Sequence, residues 1–180
     1  VNKAPVNLGV TAQTVGEDTS LLIKGVSVVD VDGNLASTQL SVTNGTLNVS
    51  LLGGATISAG SNNSGSLTLN GTEAQINAAL ATLRFQGNAN FVGTANLSIV
   101  SRDSASTVLS DTDSLSITVT AVNDAPVLNT STTVSLGTLS EDAGVPTGTA
   151  GSLVSDLFAA ITDADASSAK GLAITAVNGN

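Results

Sequence analysis

The sequence predicts an all-β fold: an antiparallel Greek-key β-sandwich, built as tandem repeats with a short helix in each. Three observations predict it. The apolar residues are chiefly Val, Leu, Ile and Ala, with only three aromatics, Phe85, Phe91 and Phe158, and β-branched side chains favour pleated strands. Ser, Thr, Asn and Gly dominate the rest, and Gly and Asn favour turns. Apolar residues recur mostly at every second position in short runs.

The elements follow in order. An extended segment covers Val6–Val15. Leu21 and Ile23 mark the next strand, and Leu40 and Val42 the one after. Asn44-Gly45 then signals a hairpin turn into Leu47, Val49 and Leu51. Leu67 and Leu69 form a further strand. Thr72-Glu73-Ala74-Gln75 matches a capping box, with Ile76, Leu80 and Leu83 continuing a helical face over Thr72–Leu83 that covers an end of the sandwich. Strands through Phe85, through Leu97 and Ile99, and through Leu115, Ile117 and Val119 complete a domain of about seven or eight strands, the count expected of a sandwich.

The chain is internally repetitive. VNKAPV at Val1–Val6 returns as VNDAPV at Val122–Val127. Each copy precedes an acidic doublet, Glu17-Asp18 and then Glu141-Asp142, and each doublet precedes an Asp-x-Asp, Asp30/Asp32 and then Asp163/Asp165. Three signals recurring in order indicate repeats. Residues 1–6 are read as a linker from a preceding repeat, 7–121 as a complete repeat, 122–127 as an inter-repeat linker, and 128–180 as the first part of a second repeat. The natural chain is expected to continue beyond it. The second copy carries an insertion before its Asp-x-Asp, where Leu153, Leu157, Phe158 and Ile161 have helical spacing.

Composition excludes several function classes. There is no Cys and no His, so disulfides, thiol chemistry and Ser-His-Asp or Cys-His sites cannot be built, and zinc lacks its favoured ligands. The net charge is −9 with five scattered Lys and Arg, which disfavours nucleic acid and anionic membranes as partners. No apolar run approaches the roughly 20 residues that span a bilayer. No signal peptide is visible, so a targeting signal for a secreted protein lies outside these residues.

The 14 acidic residues sit mostly beside turns. Following strand direction, Asp30, Asp32 and Asp103 gather at the linker end of the first repeat. Glu17 and Asp18 lie at the opposite end, where Asn123 and Asp124 of the linker and Asp163 and Asp165 of the second repeat are expected to join them. Two like charges about 4 Å apart repel by roughly 1 kcal/mol in water and roughly 4 kcal/mol at an effective dielectric of 20. Five carboxylates together therefore call for a counter-ion. Calcium accepts six to eight oxygens with flexible geometry, and without His or Cys the ligand type selects for it. The expected cofactor is Ca2+, held at an inter-repeat site (Glu17, Asp18, Asn123, Asp124, Asp163, Asp165) and at an N-terminal site (Asp30, Asp32, Asp103).

These motifs resemble the cadherin family, particularly the cadherin-like repeats of large bacterial surface adhesins. VNDAPV at 122–127, Glu17 in GEDT, Asp30 and Asp32 in DVDG, and Asp103 in SRDS carry the likeness. The stretch Gly71–Phe91, with LRFQGNANFVG, is similar to the middle of bacterial cadherin-like and proteoglycan-type repeats. The resemblance implies an immunoglobulin/cadherin-like sandwich whose linkers help hold calcium. Two departures matter. The segment where cadherins carry an acidic Asp-Arg-Glu motif has Arg84 and no acid, which implies one or two ions per junction. Lys3 stands where the second linker has Asp124, so the N-terminal site is expected to be weaker or rearranged.

Other readings are set aside. Asp30-Val31-Asp32-Gly33 lacks the later residues of an EF-hand loop. Gly53-Gly54 is a turn, and Asp111/Asp113 are read as a solvated turn before the last strand. Asn-x-Ser/Thr triplets carry little weight in an Asn- and Thr-rich chain. Paired carboxylates without aromatics to stack on sugars do not make a glycosidase. The expected function is a calcium-rigidified, non-enzymatic stalk repeat of an extracellular bacterial adhesin or matrix filament, contacting neighbouring repeats of its own chain. The alternative is a binding module for glycans or for other copies of itself.

Overall fold

The period-two runs become eleven short strands and one helix in the first of two units. The computed structural model describes residues 1–129, 131, 158–165, 168–171 and 173. The units are Val1–Val122 and Asn123–Asn180. In the first, β1 (Val6–Leu8), β2 (Gln13–Gly16), β3 (Leu21–Leu22), β4 (Ser27–Val29), β5 (Leu35–Val42), β6 (Gly45–Asn48), β7 (Thr56–Gly60) and β8 (Ser66–Asn70) precede helix α1 (Glu73–Leu80); β9 (Arg84–Gly87), β10 (Gly93–Asp103) and β11 (Ser110–Thr120) follow it. They form a six-stranded sheet in the order β2-β11-β10-β5-β8-β7, a three-stranded sheet β3-β9-β6 and a two-stranded ladder β1-β4. All pairs are antiparallel except β2, which runs parallel to β11.

One apolar core joins these layers. Leu40, Leu67, Leu97 and Ile117 of the large sheet meet Ile23, Leu47, Val28 and Phe85 of the opposite layer, and Ile76, Ala79 and Leu80 of α1 join the same cluster. The helix begins with the expected capping box: the Thr72 hydroxyl accepts the Gln75 N–H, and the Gln75 side chain accepts the Thr72 N–H. Such a cap contributes about 0.5–2 kcal/mol. The helix ends at Leu80, and Leu83, expected within it, is buried in the stretch leading to β9.

Several expectations are corrected. Asn44-Gly45 does not close a hairpin: β5 belongs to the large sheet, while β6 pairs with β9. Asn44 has a positive φ of 57°, so the turn chemistry is present, but it turns a corner between sheets. A Cβ on Gly45 would lie 2.4 Å from the Phe85 ring and from the Gln86 carbonyl oxygen, so the residue is set by that close approach. The extended segment Val6–Val15 is broken into β1 and β2, with Gly9 at φ 70° between them. Strands β4 and β7 were not anticipated, so the ladder segments outnumber the seven or eight expected. Asp111 and Asp113 lie inside β11, not in a turn before it.

Among the described residues the two-stranded ladder has no strand on either outer edge, yet its backbone groups are met by side chains. On the β1 side the Asn7 N–H donates to Asp111 Oδ2 at 2.8 Å. On the β4 side both polar groups of Val28 pair with the Asn77 amide of α1, at 2.8 Å each. Orphaned backbone groups at a sheet edge are thus satisfied without a further strand.

In the second unit, β12 (Val127–Leu128) pairs with β13 (Ile161–Thr162), which follows a 3-10 turn at Phe158–Ala160. Ile161 opens a strand, so a helical pattern does not run through it. Leu153, Leu157 and the doublet Glu141-Asp142 lie outside the described residues.

Candidate metal centre

Strand alternation carries two acids past the end of the core. Along β10, Ala95, Leu97 and Ile99 face inward; the series continues with Ser101 and ends at Asp103, which is 2 % exposed. Ser101 already belongs to a polar layer, bonded to Thr38 at 3.0 Å and to Asn7 at 2.6 Å. Val26 and Val28 set the same inward parity before Asp30, which is 5 % exposed. Inward-facing positions beyond the apolar layers thus become carboxylates at one pole of the unit.

Hydrogen bonds connect this pole. Asp103 Oδ2 accepts the Asn2 amide at 2.6 Å, and its Oδ1 accepts the N–H groups of Leu109 (3.0 Å) and Ala105 (3.3 Å). The Asn2 contact, more than the two backbone bonds, holds the Asp103 carboxyl below the usual carboxylate range, although burial pushes the other way. Asn34 donates to Asn2 Oδ1 at 2.9 Å. A series of backbone donors then links three acids. The Lys3 N–H donates to Asp32 Oδ2 at 2.6 Å, the Asp32 N–H to Asp30 Oδ1 at 3.0 Å, and the Asp30 N–H to Glu73 Oε2 at 2.8 Å. The middle link is an Asx turn, which this short side chain forms locally.

The expected N-terminal residues fall into two hydrogen-bonded groups at this pole, Asp103 with Asn2 and Asn34, and Asp30 and Asp32 with Lys3 and Glu73. Lys3 contributes its main-chain N–H, a bond that does not need its side chain. Asn2, Asn34 and Glu73 take part in these two groups and were not anticipated. Asn2 was detectable as the first-copy counterpart of Asn123. Asn34 directly follows Asp30-Val31-Asp32-Gly33, whereas Glu73 is distant in sequence and carried no signal beyond the capping box. The donor types at this pole, carboxylate and amide oxygens in a chain without His or Cys, are those that hard cations such as calcium take. Asp30, Asp32 and Asp103 do not bring three carboxylate oxygens within 4.8 Å of one another, so their joint action on one ion stands as an expectation from sequence.

At the far end of the first unit, Glu17 is 5 % exposed, and its Oε1 accepts the Val122 N–H at 2.9 Å. Asp18, at φ 54°, accepts the Asn90 N–H at 3.1 Å. In the second unit the Asp124 N–H donates to Asp165 Oδ2 at 2.6 Å, and the Asp165 N–H to Asp163 Oδ1 at 3.0 Å. Asn123 donates to the Asp124 carbonyl oxygen. The grouping of Glu17 and Asp18 with Asn123, Asp124, Asp163 and Asp165 spans two units described separately, and it stands as an expectation from sequence.

The family model described as Protein GAMETE EXPRESSED 2 domain matches residues 20–111, just over half of the chain. No curated protein matches the chain. Similar solved structures include a nucleoside hydrolase-related hypothetical protein from Saccharophagus degradans that is associated with carbohydrate metabolism, at 20 % identity over 66 % of this chain and 26 % of that one, with a TM-score of 0.35. They also include the protocadherin GammaB4 extracellular domain, at 21 % identity over 72 % and 19 % with a TM-score of 0.33. Protocadherin gamma B2 extracellular cadherin domains 3–6 match at 19 % identity over 77 % and 29 %, with a TM-score of 0.34. The chain spans less than a third of the length of each of these structures. Overlap at this level is too loose to carry a functional assignment.

Proposed function

The chain belongs to the family of the Protein GAMETE EXPRESSED 2 domain, and we propose that it serves as a calcium-binding spacer of an extracellular adhesion protein, not as a catalyst. One observation carries the reading. The same two-bond arrangement, linker N–H to outer Asp and outer Asp N–H to inner Asp, occurs in both copies of the repeat at 2.6 and 3.0 Å. In the first copy it lies at the pole with Asp103. The resemblance of the linker and Asp-x-Asp motifs to bacterial cadherin-like repeats supports a surface adhesin or matrix filament as the setting. Among the described residues no helix is long and apolar enough to cross a membrane.

The physical role follows from charge. Acids that repel one another across a linker leave it mobile, and an ion among them offsets the repulsion and stiffens the join. Part of the proposal is the sequence expectation that Glu17 and Asp18 act with the second linker. Small-angle scattering of the whole chain with calcium and then with chelator tests it, alongside a calorimetric calcium titration. Saturable binding with a more extended, less flexible particle is expected. A scattering profile indifferent to both additions, with no heat of binding, rejects the proposal. Glycan binding or self-association by the same protein would favour a recognition module instead.

A further inference from the structure

We infer that the outer edge of β7 is a surface for a second copy of this chain, which pairs with it strand to strand. Other edges in the first unit are met from within. Asp111 takes the Asn7 N–H beside β1, and Asn77 takes both polar groups of Val28 on β4. Beside β6, the Leu47 N–H donates to the Ser64 carbonyl oxygen, and the Leu47 carbonyl oxygen accepts the Asn63 N–H. Just past β6, the Asn62 amide pairs with the N–H and carbonyl of Val49 at 2.9 Å each. Among the described residues β7 has no such cover. It ends the six-stranded sheet, and Thr56, Ser58, Ala59 and Gly60 are exposed. Its hydroxyls turn back toward β8: Thr56 donates to the Asn70 carbonyl oxygen, and Ser58 to the Asn70 side-chain oxygen. Backbone groups on the far side of such a strand are a template for another strand.

Charge decides the partner. The chain carries −9, so two copies repel over most approaches. From Gly33 to Thr72 there is no Asp, Glu, Lys or Arg, and that stretch supplies β5, β6, β7 and β8. Glu73 follows it but is turned to the Asp30 N–H. Arg102 shares a cross-strand row with Ser37, Asn70 and Thr56. It lies three strands in, at about 4.8 Å per strand, beyond the roughly 8–10 Å at which salt screens exposed charges. The opposite end of the sheet differs. Glu17 and Asp18 directly follow β2, and copies meeting there would set like charges together. Lys and Pro, which blunt many edges, are absent from β7, and its protection is the bulge between Ile57 and Ala59. Two β7 strands meeting antiparallel about a two-fold axis present the same groups to each other. The contact is small, so the pairing is weak and reversible. It is independent of the calcium reading. The edge lies three strands from β10 and its Asp103, so a spacer can carry it, whereas association through another surface would mark a recognition module.

Sedimentation velocity and amide NMR of the whole chain over a concentration series, with calcium and with chelator, test this. A weak monomer–dimer equilibrium is expected in both conditions, with amide shifts that move at Thr56–Gly60 and not at Thr112–Thr118. Ala59→Lys is expected to weaken pairing about 10-fold, since it sets like charges close together across the two-fold axis. Thr118→Lys is the control, at an exposed position of β11 inside the same sheet. It makes the same change in net charge, which eases the general repulsion, and should leave pairing at least as strong. Thr56→Lys repeats the test at the edge should Ala59→Lys fall short of the wild-type melting temperature. A monomer at every concentration, shifts that map to another surface, or undiminished pairing in the edge variants overturns the inference. Pairing abolished by chelator also overturns it, because the acids would then form the contact.

Discussion

The two copies of the linker and Asp-x-Asp differ in everything around them, yet agree in their own geometry. Val6 pairs with Val29 in the first unit and Val127 with Thr162 in the second, which are equivalent positions of the repeat. The linker N–H reaches the outer Asp at 2.6 Å in each, from Lys3 in one and from Asp124 in the other. The surroundings diverge. Asn7 is 7 % exposed, held by Ile99, Ser101 and Asp113, whereas Leu128 at the equivalent position is 58 % exposed. The motif is thus organised by short-range bonds among its own residues, and burial is added by strands that come later in the chain.

The largest expected effect separates these two contributions. Phe85→Ala removes a fully buried ring where β9 meets β3 and β6, at a cost of about 3–5 kcal/mol. Chemical denaturation should show the first unit weakened, while amide exchange at Asp165 stays as it was. A matching change at Asp165 would break the claim that the motif stands on its own bonds. Next comes Asn77→Ala, which leaves the N–H and carbonyl of Val28 without their side-chain partner, at about 1–3 kcal/mol. It should expose the β4 edge to exchange and leave the β12–β13 ladder untouched.

Acid sharpens the contrast further. The Asp103 pKa is lowered in the folded state, so its contribution to stability is fully present above the unfolded value of about 3.9 and is lost as the pH falls through the folded value. Melting temperatures measured below about pH 4 should therefore decline less steeply in Asn2→Ala, which removes the main cause of the shift. An unchanged acid limb would show that Asn2 is not that cause. The smallest effect on stability is expected for Lys3→Asp, within about 0.5 kcal/mol for a surface change, because the bond to Asp32 uses the main chain. Calcium affinity at the first copy should nevertheless rise, since an ammonium is replaced by a ligand. Affinity that stays the same would remove the electrostatic difference between the copies.

What the sequence revealed follows the range of the interactions involved. Period-two strands such as β10 and β11, the capping box at Thr72 and the Asp-x-Asp turns were legible because neighbours in sequence determine them. Strand direction alone brought Asp30, Asp32 and Asp103 to one pole. The destination of β6 was not legible, since Asn44-Gly45 fixes the turn but not which sheet receives the next strand. Glu73 stayed hidden because its role depends on the helix docking along β4, a contact between residues 43 positions apart.

The alternation that ends at Asp103 has a consequence for length variation. Because inward and outward positions exchange when a strand slips by one residue, a single insertion between Ala95 and Asp103 would present Arg102 to the interior instead. A guanidinium would then replace a carboxylate at the pole with no codon for either residue altered. Loops in such a protein can lengthen freely, but the tenth strand is read in a fixed frame, and a shift of one would invert the sign of the site it delivers.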